Sequence, residues 1–191
     1  MKEGLIKDAY ELIIKEIQTV ISISYIFALG IGMLFNYRKY SEFGINIFDY
    51  ADVFDFLISP FSDVKILLFT IISIGLGSII LYLDVLWKKK YPEAYSRLNL
   101  GVDTKPWFVP MRFVSGVVLI VLYLIISSGI YGRISRKEVM SQAPIEIRFS
   151  DDEIKRGKMI GKTNSVIFLL SDEKVRAIPI TSLVKEIEIL N

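Results

Sequence analysis

The chain has 191 residues, of which 52% are hydrophobic, and it contains neither cysteine nor histidine. The missing residue types exclude disulfides, thiolate nucleophiles, cysteine or histidine zinc sites and imidazole general bases. The net charge of +2, from 23 basic and 21 acidic residues, is too balanced to predict nucleic-acid binding. This composition favours a membrane protein that is not an enzyme, and we expect no cofactor, no metal site and no nucleic-acid partner.

A stretch of mixed charge, residues 1–16, opens the chain, and its apolar residues recur at helical spacing. This pattern predicts an amphipathic helix at the membrane interface that continues into a first membrane span. The following residues, 17–37, are all uncharged and lie between Glu16 and Arg38. As a helix they extend about 30 Å, the thickness of the hydrocarbon core of a bilayer. We therefore predict a first transmembrane helix at 17–37.

An acidic segment, residues 41–63, follows the first span and contains no Lys or Arg. Gly44 can turn the chain and Pro60 can close a helix, so we predict a helix over Ile45–Ser59 that lies on the membrane surface. Three aspartates recur at every third position of that helix: Asp49, Asp52 and Asp55. In an oligomer such a face can attract cations to a pore entrance. The commoner alternative is a solvated face that keeps the helix shallow.

A second uncharged run, residues 66–83, predicts a second transmembrane helix at 65–87. Asp84 follows the run directly. A carboxylate inside a membrane can be functional, but Lys88 is one helical turn away. The sequence therefore predicts a local ion pair between Asp84 and Lys88 at the membrane interface.

A basic loop, residues 88–107, connects the second span to the third, and it starts with three consecutive lysines: Lys88, Lys89 and Lys90. A lysine triplet can bind nucleic acid. Beside a membrane span it more often reports topology and contacts anionic lipid. We interpret these lysines as an anion or lipid contact.

Twenty uncharged residues between Arg112 and Arg133 predict the third transmembrane helix, at 109–132. Residues 17–132 thus form a three-span membrane domain. We expect this domain to lie in the plasma membrane, of the bacterial inner-membrane type.

The tail, residues 140–191, carries the signals of short strands: Ile145–Phe149, Met159–Ile160, Val166–Leu170, Val175–Ile180 and Val184–Leu190. We predict a small antiparallel β domain, with an SH3-like or Sm-like barrel as the candidate topology. Pro179 cannot donate a hydrogen bond to a neighbouring strand, so we expect it on an edge strand or at a strand start.

Glycines, cations and hydroxyls crowd together in the tail segment Lys155–Ser165, where Lys158 and Lys162 are candidates for contact with an anion or with lipid. The segment does not meet the P-loop pattern, because it lacks one residue of the spacing and precedes a strand instead of following one. A glycine-bearing β-turn with a solvated basic face is the preferred interpretation.

Three spans place the N-terminus and the basic loop on one side of the membrane, and the acidic segment and the tail on the other. The first side carries nine Lys or Arg near the spans and the second carries six, which predicts a cytoplasmic N-terminus and a tail on the opposite side. The basic residues just past the third span oppose this orientation: Arg133, Arg136 and Lys137.

Two functions fit these features. The first is an oligomeric membrane protein whose β tail is a sensor or scaffold over a bundle that can form a pore. The second is a membrane-anchored interaction or inhibitory protein without a pore, such as an accessory subunit or a toxin-neutralising protein, which binds one protein partner. We expect a homo-oligomer, because the 48 residues from Pro144 to Asn191 bury little apolar surface alone. Docking on the membrane or on the acidic segment is the alternative source of stability.

Overall fold

The structure is a computed structural model that describes residues 2–149, 153–180 and 184–189. The described helices are α1 (Lys2–Ser41), α2 (Val53–Ser62), α3 (Val64–Lys90), α4 (Pro92–Leu98) and α5 (Phe108–Ser141), with short 3-10 helices at Ile47–Asp49 and Val102–Thr104. The described strands are β1 (Ile145–Phe149), β2 (Ile154–Lys162), β3 (Val166–Ser171), β4 (Lys174–Pro179) and β5 (Val184–Ile189).

Three of the described helices are long and apolar enough to cross a membrane, which confirms the three predicted spans: Glu16–Ser41 within α1, Val64–Lys90 and Phe108–Ser141. Helix α1 runs without a break from Lys2, so the predicted first helix and first span form one rod. The interfacial placement of residues 1–16 stays a prediction, and Met1 lies outside the described residues. Helix α5 continues to Ser141, beyond the predicted end of the third span at residue 132. A charge-free run marks the part of a helix that can lie in lipid, and the helix itself can extend further.

The three spans pack around a cluster that includes Phe35, Ile66, Leu124 and Tyr131, with the rings of Phe35 and Tyr131 edge to face at 5.4 Å. Several serine and threonine hydroxyls within the spans donate to carbonyl groups of their own helices. The Ser73 hydroxyl, for example, donates to the Phe69 carbonyl at 2.7 Å. Only 12–17% of the most apolar stretch of each span is buried within the chain, so most of that surface is available to lipid or to other chains.

The acidic segment does not form the single helix predicted over Ile45–Ser59. A 3-10 turn, Ile47–Asp49, is followed by the separate helix α2, which starts at Val53 and has Asp52 as its N-cap. The prediction was wrong because it overlooked the capping box: the Asp52 side chain accepts the Asp55 N–H, and the Asp55 side chain accepts the Asp52 N–H. Pro60 does not close the helix either, since it lies inside α2 and is buried.

The tail is a five-stranded antiparallel sheet in the order β4-β3-β2-β1-β5, which confirms the predicted β domain. Strand β3 is an interior strand between β4 and β2, and it is buried on both faces. Ile167 and Leu169 belong to the core of the domain itself, whereas Phe168 points to the opposite face. Its unbroken apolar run follows from this double burial. Pro179 lies in β4, an edge strand, as predicted.

The glycines of the segment Lys155–Ser165 do not form the predicted turn. Gly157 and Gly161 lie inside β2, and the turn that follows is built from Thr163, Asn164 and Ser165. Both glycines allow a close approach instead. A Cβ at Gly157 would lie 2.6 Å from the Leu170 carbonyl oxygen, and a Cβ at Gly161 would overlap the Tyr40 hydroxyl. The register between β2 and β3 also shifts next to Gly161.

Helix α2 packs on α1 at a glycine. A Cβ at Gly32 would overlap the Phe56 carbonyl group, and one turn later the Asn36 side chain donates to the Ser59 hydroxyl at 2.5 Å. Helix α2 therefore lies beside the last turns of the apolar run of α1, instead of above it.

We predict that Gly32→Ala lowers the free energy of unfolding by about 1–3 kcal/mol, because the backbone of α2 must move to make room. Gly30→Ala is the matched control, since a Cβ at Gly30 meets nothing within 4 Å. It should be neutral or stabilise the helix by up to about 1 kcal/mol. Unfolding in mixed detergent micelles measures both values, and equal effects of the two substitutions would show that α2 is not held at Gly32.

Candidate functional site

The β domain joins the membrane bundle through one hydrophobic cluster, which we call the junction cluster: Tyr40, Ile45, Ile47, Phe56, Val139, Ile160 and Phe168. These residues come from the end of α1, the acidic segment, the end of α5 and two strands. Phe168 lies at the centre, with the rings of Tyr40 and Tyr50 edge-on to it at 5.2 Å each. The junction cluster therefore fixes the β domain directly on the ends of the spans.

A hydrogen bond from the β domain reinforces the junction at Asp55. One oxygen of this carboxylate accepts the Asp52 N–H at 3.0 Å, and the other accepts the Asn164 N–H at 2.9 Å. Asn164 belongs to the turn between β2 and β3. Because hydrogen bonds to a charged group are stronger than neutral ones, Asp55 holds this turn against the start of α2.

The predicted acidic face of Asp49, Asp52 and Asp55 does not form on one helix, because the three side chains serve different local structures. Asp49 accepts from the Asn46 side chain at 2.9 Å, and Asp52 caps α2. Within the described ranges, no group of three or more acidic side chains is placed to hold a metal ion. The attraction of cations by this segment stays a prediction.

One open cavity brings two of the predicted sites together. It lies between α2, the end of α1 and the turn after β2, has a volume of about 760 Å³, and is lined by Asp52, Asp55 and Lys162 among others. Lys162 therefore faces the same space as the carboxylates that were assigned to a separate acidic face. Lys158 lies elsewhere, where its ammonium group donates to the Met140 carbonyl at the end of α5.

At the opposite end of the bundle, Asp84 does not pair with Lys88 as predicted. Its carboxylate forms an ion pair with Arg112 of α5 and accepts the Tyr95 hydroxyl at 3.0 Å. Tyr95 belongs to α4 in the basic loop and is buried, and this burial raises the pKa of its hydroxyl, which stays a neutral donor. The local prediction was wrong because α5 brings a guanidinium group that can bond to the carboxylate directly.

The three loop lysines are exposed, as expected for contact with anions or lipid. The Lys88 ammonium group lies 5.9 Å from the ring centre of Tyr95 and 5.8 Å from that of Phe108. The Lys90 ammonium group lies 5.4 Å from the ring centre of Tyr91. Cations over aromatic faces are held in place without being neutralised, so both remain available to an anion.

Sequence reasoning missed the partners that complete these sites. Tyr40, Tyr95 and Asn164 were not assigned to these sites. Nothing in the local pattern marks Tyr95 as a buried donor, because its partners are distant in sequence. A signal was present for Arg133 and Lys137, whose helical spacing after an apolar run predicts a basic helix face.

No family model matches this chain, and no curated protein matches it. Among solved structures, the chain is similar to one described as a crystal structure of the pleiotropic translational regulator Hfq, at 15% sequence identity and a TM-score of 0.24. The alignment covers 31% of this chain and 98% of that chain. A likeness at this TM-score carries no conclusion about function.

We predict that Asp55→Ala accelerates hydrogen exchange at the Asn164 amide by at least about tenfold, because the loss of a charged acceptor costs about 1.5–3 kcal/mol locally. Asp49→Ala is the matched control. It removes a carboxylate from the same segment, but this carboxylate accepts a hydrogen bond from the Asn46 side chain and not from the β domain. Hydrogen exchange by mass spectrometry measures both variants. Unchanged exchange at Asn164 in Asp55→Ala would contradict the role of Asp55 at the junction.

We predict that Asp84→Asn destabilises the protein by about 1–3 kcal/mol, since Arg112 loses its counter-ion. A double-mutant cycle identifies the partner. Asp84→Asn combined with Arg112→Gln should be non-additive, whereas the combination with Lys88→Gln should be additive within about 0.5 kcal/mol. Coupling of Asp84 to Lys88 alone would contradict the ion pair with Arg112 and support the local pair predicted from the sequence.

Proposed function

We propose that this chain is a non-enzymatic integral membrane protein whose β domain is a sensor or scaffold coupled to its three spans, and that several copies assemble through that domain. The junction cluster is the observation that carries the proposal. Because Tyr40 and Val139 lie on helices that continue into the bilayer and Phe168 lies in the interior strand β3, a displacement of the sheet is passed to two spans directly. A tail on a flexible linker would not transmit it.

Assembly is supported by the two edges of the sheet. Beyond β4 and β5 no further strand is present in the described part of the chain. The Ile180 N–H donates to the Ser165 carbonyl, and bonded and non-bonded pairs alternate in antiparallel strands. The backbone groups of Val175 and Ala177 therefore point away from β3, where they can bond to another strand.

The two edges also differ in charge. Strand β4 carries Lys174 and Arg176, whereas β5 carries Glu186 and Glu188, and all four side chains are exposed. Opposite charge favours the pairing of β4 of one copy with β5 of the next over the pairing of like edges. A contact between two different edges builds a ring if the rotation closes and a filament if it does not.

A pore would require several copies. Within one chain the bundle is filled by large side chains such as Phe35, Leu124 and Tyr131. A conduction path would therefore run between copies, along faces that one chain leaves uncovered. We place the protein in the plasma membrane with the orientation predicted from the basic residues, which puts the β domain on the side opposite the cytoplasm.

The second candidate is the membrane-anchored interaction or inhibitory protein. It is favoured by α2, on which Phe54, Ile58 and Phe61 lie on one helical face and are exposed. Exposed aromatic side chains on a short amphipathic helix are typical of surfaces that bind a protein partner.

We expect Ala177→Pro to abolish the oligomer, because proline removes an N–H that only a neighbouring copy uses. The chain itself already tolerates Pro179 at the equivalent outward position, so the domain should still fold. Ala177→Val, which keeps the N–H, is the control. Assembly is measured by cross-linking in native membranes and by the detergent-corrected molecular mass of the purified protein.

An unchanged mass of the Ala177→Pro oligomer would exclude pairing through β4. A wild-type protein that is strictly monomeric over a wide concentration range would refute the oligomeric function and favour the partner-binding candidate instead.

A further inference from the structure

The extension of α5 beyond its apolar run has two distinct faces. Gly132, Ser135 and Val139 are buried, and a Cβ at Gly132 would lie 2.8 Å from the Arg38 carbonyl oxygen of α1. These residues face the bundle and the junction cluster. Arg133 and Lys137 are exposed on the other side of the helix. The extension is therefore a rigid continuation of the span that presents cations outward.

A groove beside this face, which we call the basic groove, is lined by Arg133, Arg136, Lys137 and Met140 of α5 and by Arg156 and Lys158 of β2. The carboxylates that also line it are fewer than the cations: Glu42, Asp172 and Glu173. It consists of two adjoining cavities of about 520 and 700 Å³ that share Glu42, Arg136 and Met140. Arg136 is 3.7 Å from the Glu42 carboxylate, and Arg156 pairs with Glu146. Among the described residues, no carboxylate forms an ion pair with Arg133 or Lys137.

The position of the groove fixes what can reach it. Arg133 follows the last uncharged residue of the third span, and Lys137 is four residues further, or about 6 Å along the helix. The headgroup layer of a bilayer extends roughly 5–8 Å beyond the hydrocarbon core. Both side chains therefore lie at the depth of the lipid phosphates, on the side of the β domain.

The same helical face continues into the hydrocarbon region as an apolar stripe. Ile126 and Ile130 precede Arg133 by seven and three residues, and Lys137 follows it by four. These spacings place the four side chains on one stripe of the helix. Ile126 and Ile130 are exposed within the chain. The stripe thus offers apolar contact to an acyl chain and cations to the phosphate at its end.

We propose that the basic groove binds the headgroup of an anionic phospholipid, with Arg133 and Lys137 on the phosphate and an acyl chain along Ile126 and Ile130. The inference is independent of the oligomer, because every residue of the groove belongs to one chain. Binding at this place orders lipid against the outer face of α5, the helix whose buried face carries Val139 of the junction cluster. The lipid composition of the leaflet then acts on the element that couples the β domain to the spans.

The test uses the full chain in nanodiscs of equal parts phosphatidylglycerol and phosphatidylcholine, with native mass spectrometry to count the lipids retained. The wild type should retain phosphatidylglycerol preferentially. Arg133→Gln with Lys137→Gln should lower this preference by about 25-fold, since each basic residue near an anionic surface contributes about fivefold. Arg133→Lys with Lys137→Arg keeps both charges and should keep the preference.

Two further arms make the result decisive. Arg97→Gln with Lys105→Gln removes the same charge from exposed residues at the opposite end of the bundle, and it should leave the preference for phosphatidylglycerol unchanged. Loss of preference in that variant alone would overturn the proposal, as would an undiminished preference in Arg133→Gln with Lys137→Gln. Binding of glycerol phosphate, which has no acyl chain, as tightly as the intact lipid would indicate a small-anion site and would also overturn it. Thermal unfolding of each variant verifies that the fold is kept.

Discussion

The burial of Phe168 is the interaction on which the rest of the structure depends. This side chain belongs to the interior strand β3 but lies outside the core of the β domain, because it points to the other face. Tyr40 and Tyr50 cover it from the end of α1 and from the acidic segment. Without them the sheet would expose an apolar face to water, so the β domain and the ends of the spans form one cooperative unit.

Close backbone approaches make this unit possible. At Gly32 helix α2 lies against α1, at Gly132 helix α5 lies against the end of α1, and at Gly161 strand β2 lies against Tyr40. Each contact removes the space that a Cβ would take. All three involve α1 over the range 32–40, so one stretch of a single helix sets the positions of the acidic segment, the third span and the β domain.

The elements could be predicted from the sequence, but their partners could not. Long uncharged runs predict the three spans, and alternation of apolar and polar residues predicts the strands. Both signals lie within the element itself, because the repeat of its apolar residues determines which of its faces is buried. The partner of Asp84 is different: Arg112 lies 28 residues away, and only the packing of α5 on α3 brings it closer than Lys88. The same applies to Asp55 and Asn164. Local pattern favours the neighbour in sequence, while a fold supplies neighbours from elsewhere.

The small size of the β domain does not make an oligomer necessary for stability, although the sequence alone suggests that it does. As a sequence, 48 residues without disulfides indicate that another chain must supply the missing burial. In the structure the acidic segment and two helix ends supply it, since Ile45, Ile47 and Phe56 pack against the sheet. Stability therefore does not demand an oligomer. The feature that favours assembly is the pair of open edges, β4 and β5. Packing one face of the sheet on the helices does not supply hydrogen-bond partners for the outward backbone groups of these edge strands. Because the docked face and the open edges are different parts of the sheet, one chain can couple its β domain to the membrane and still leave both edges for neighbouring copies.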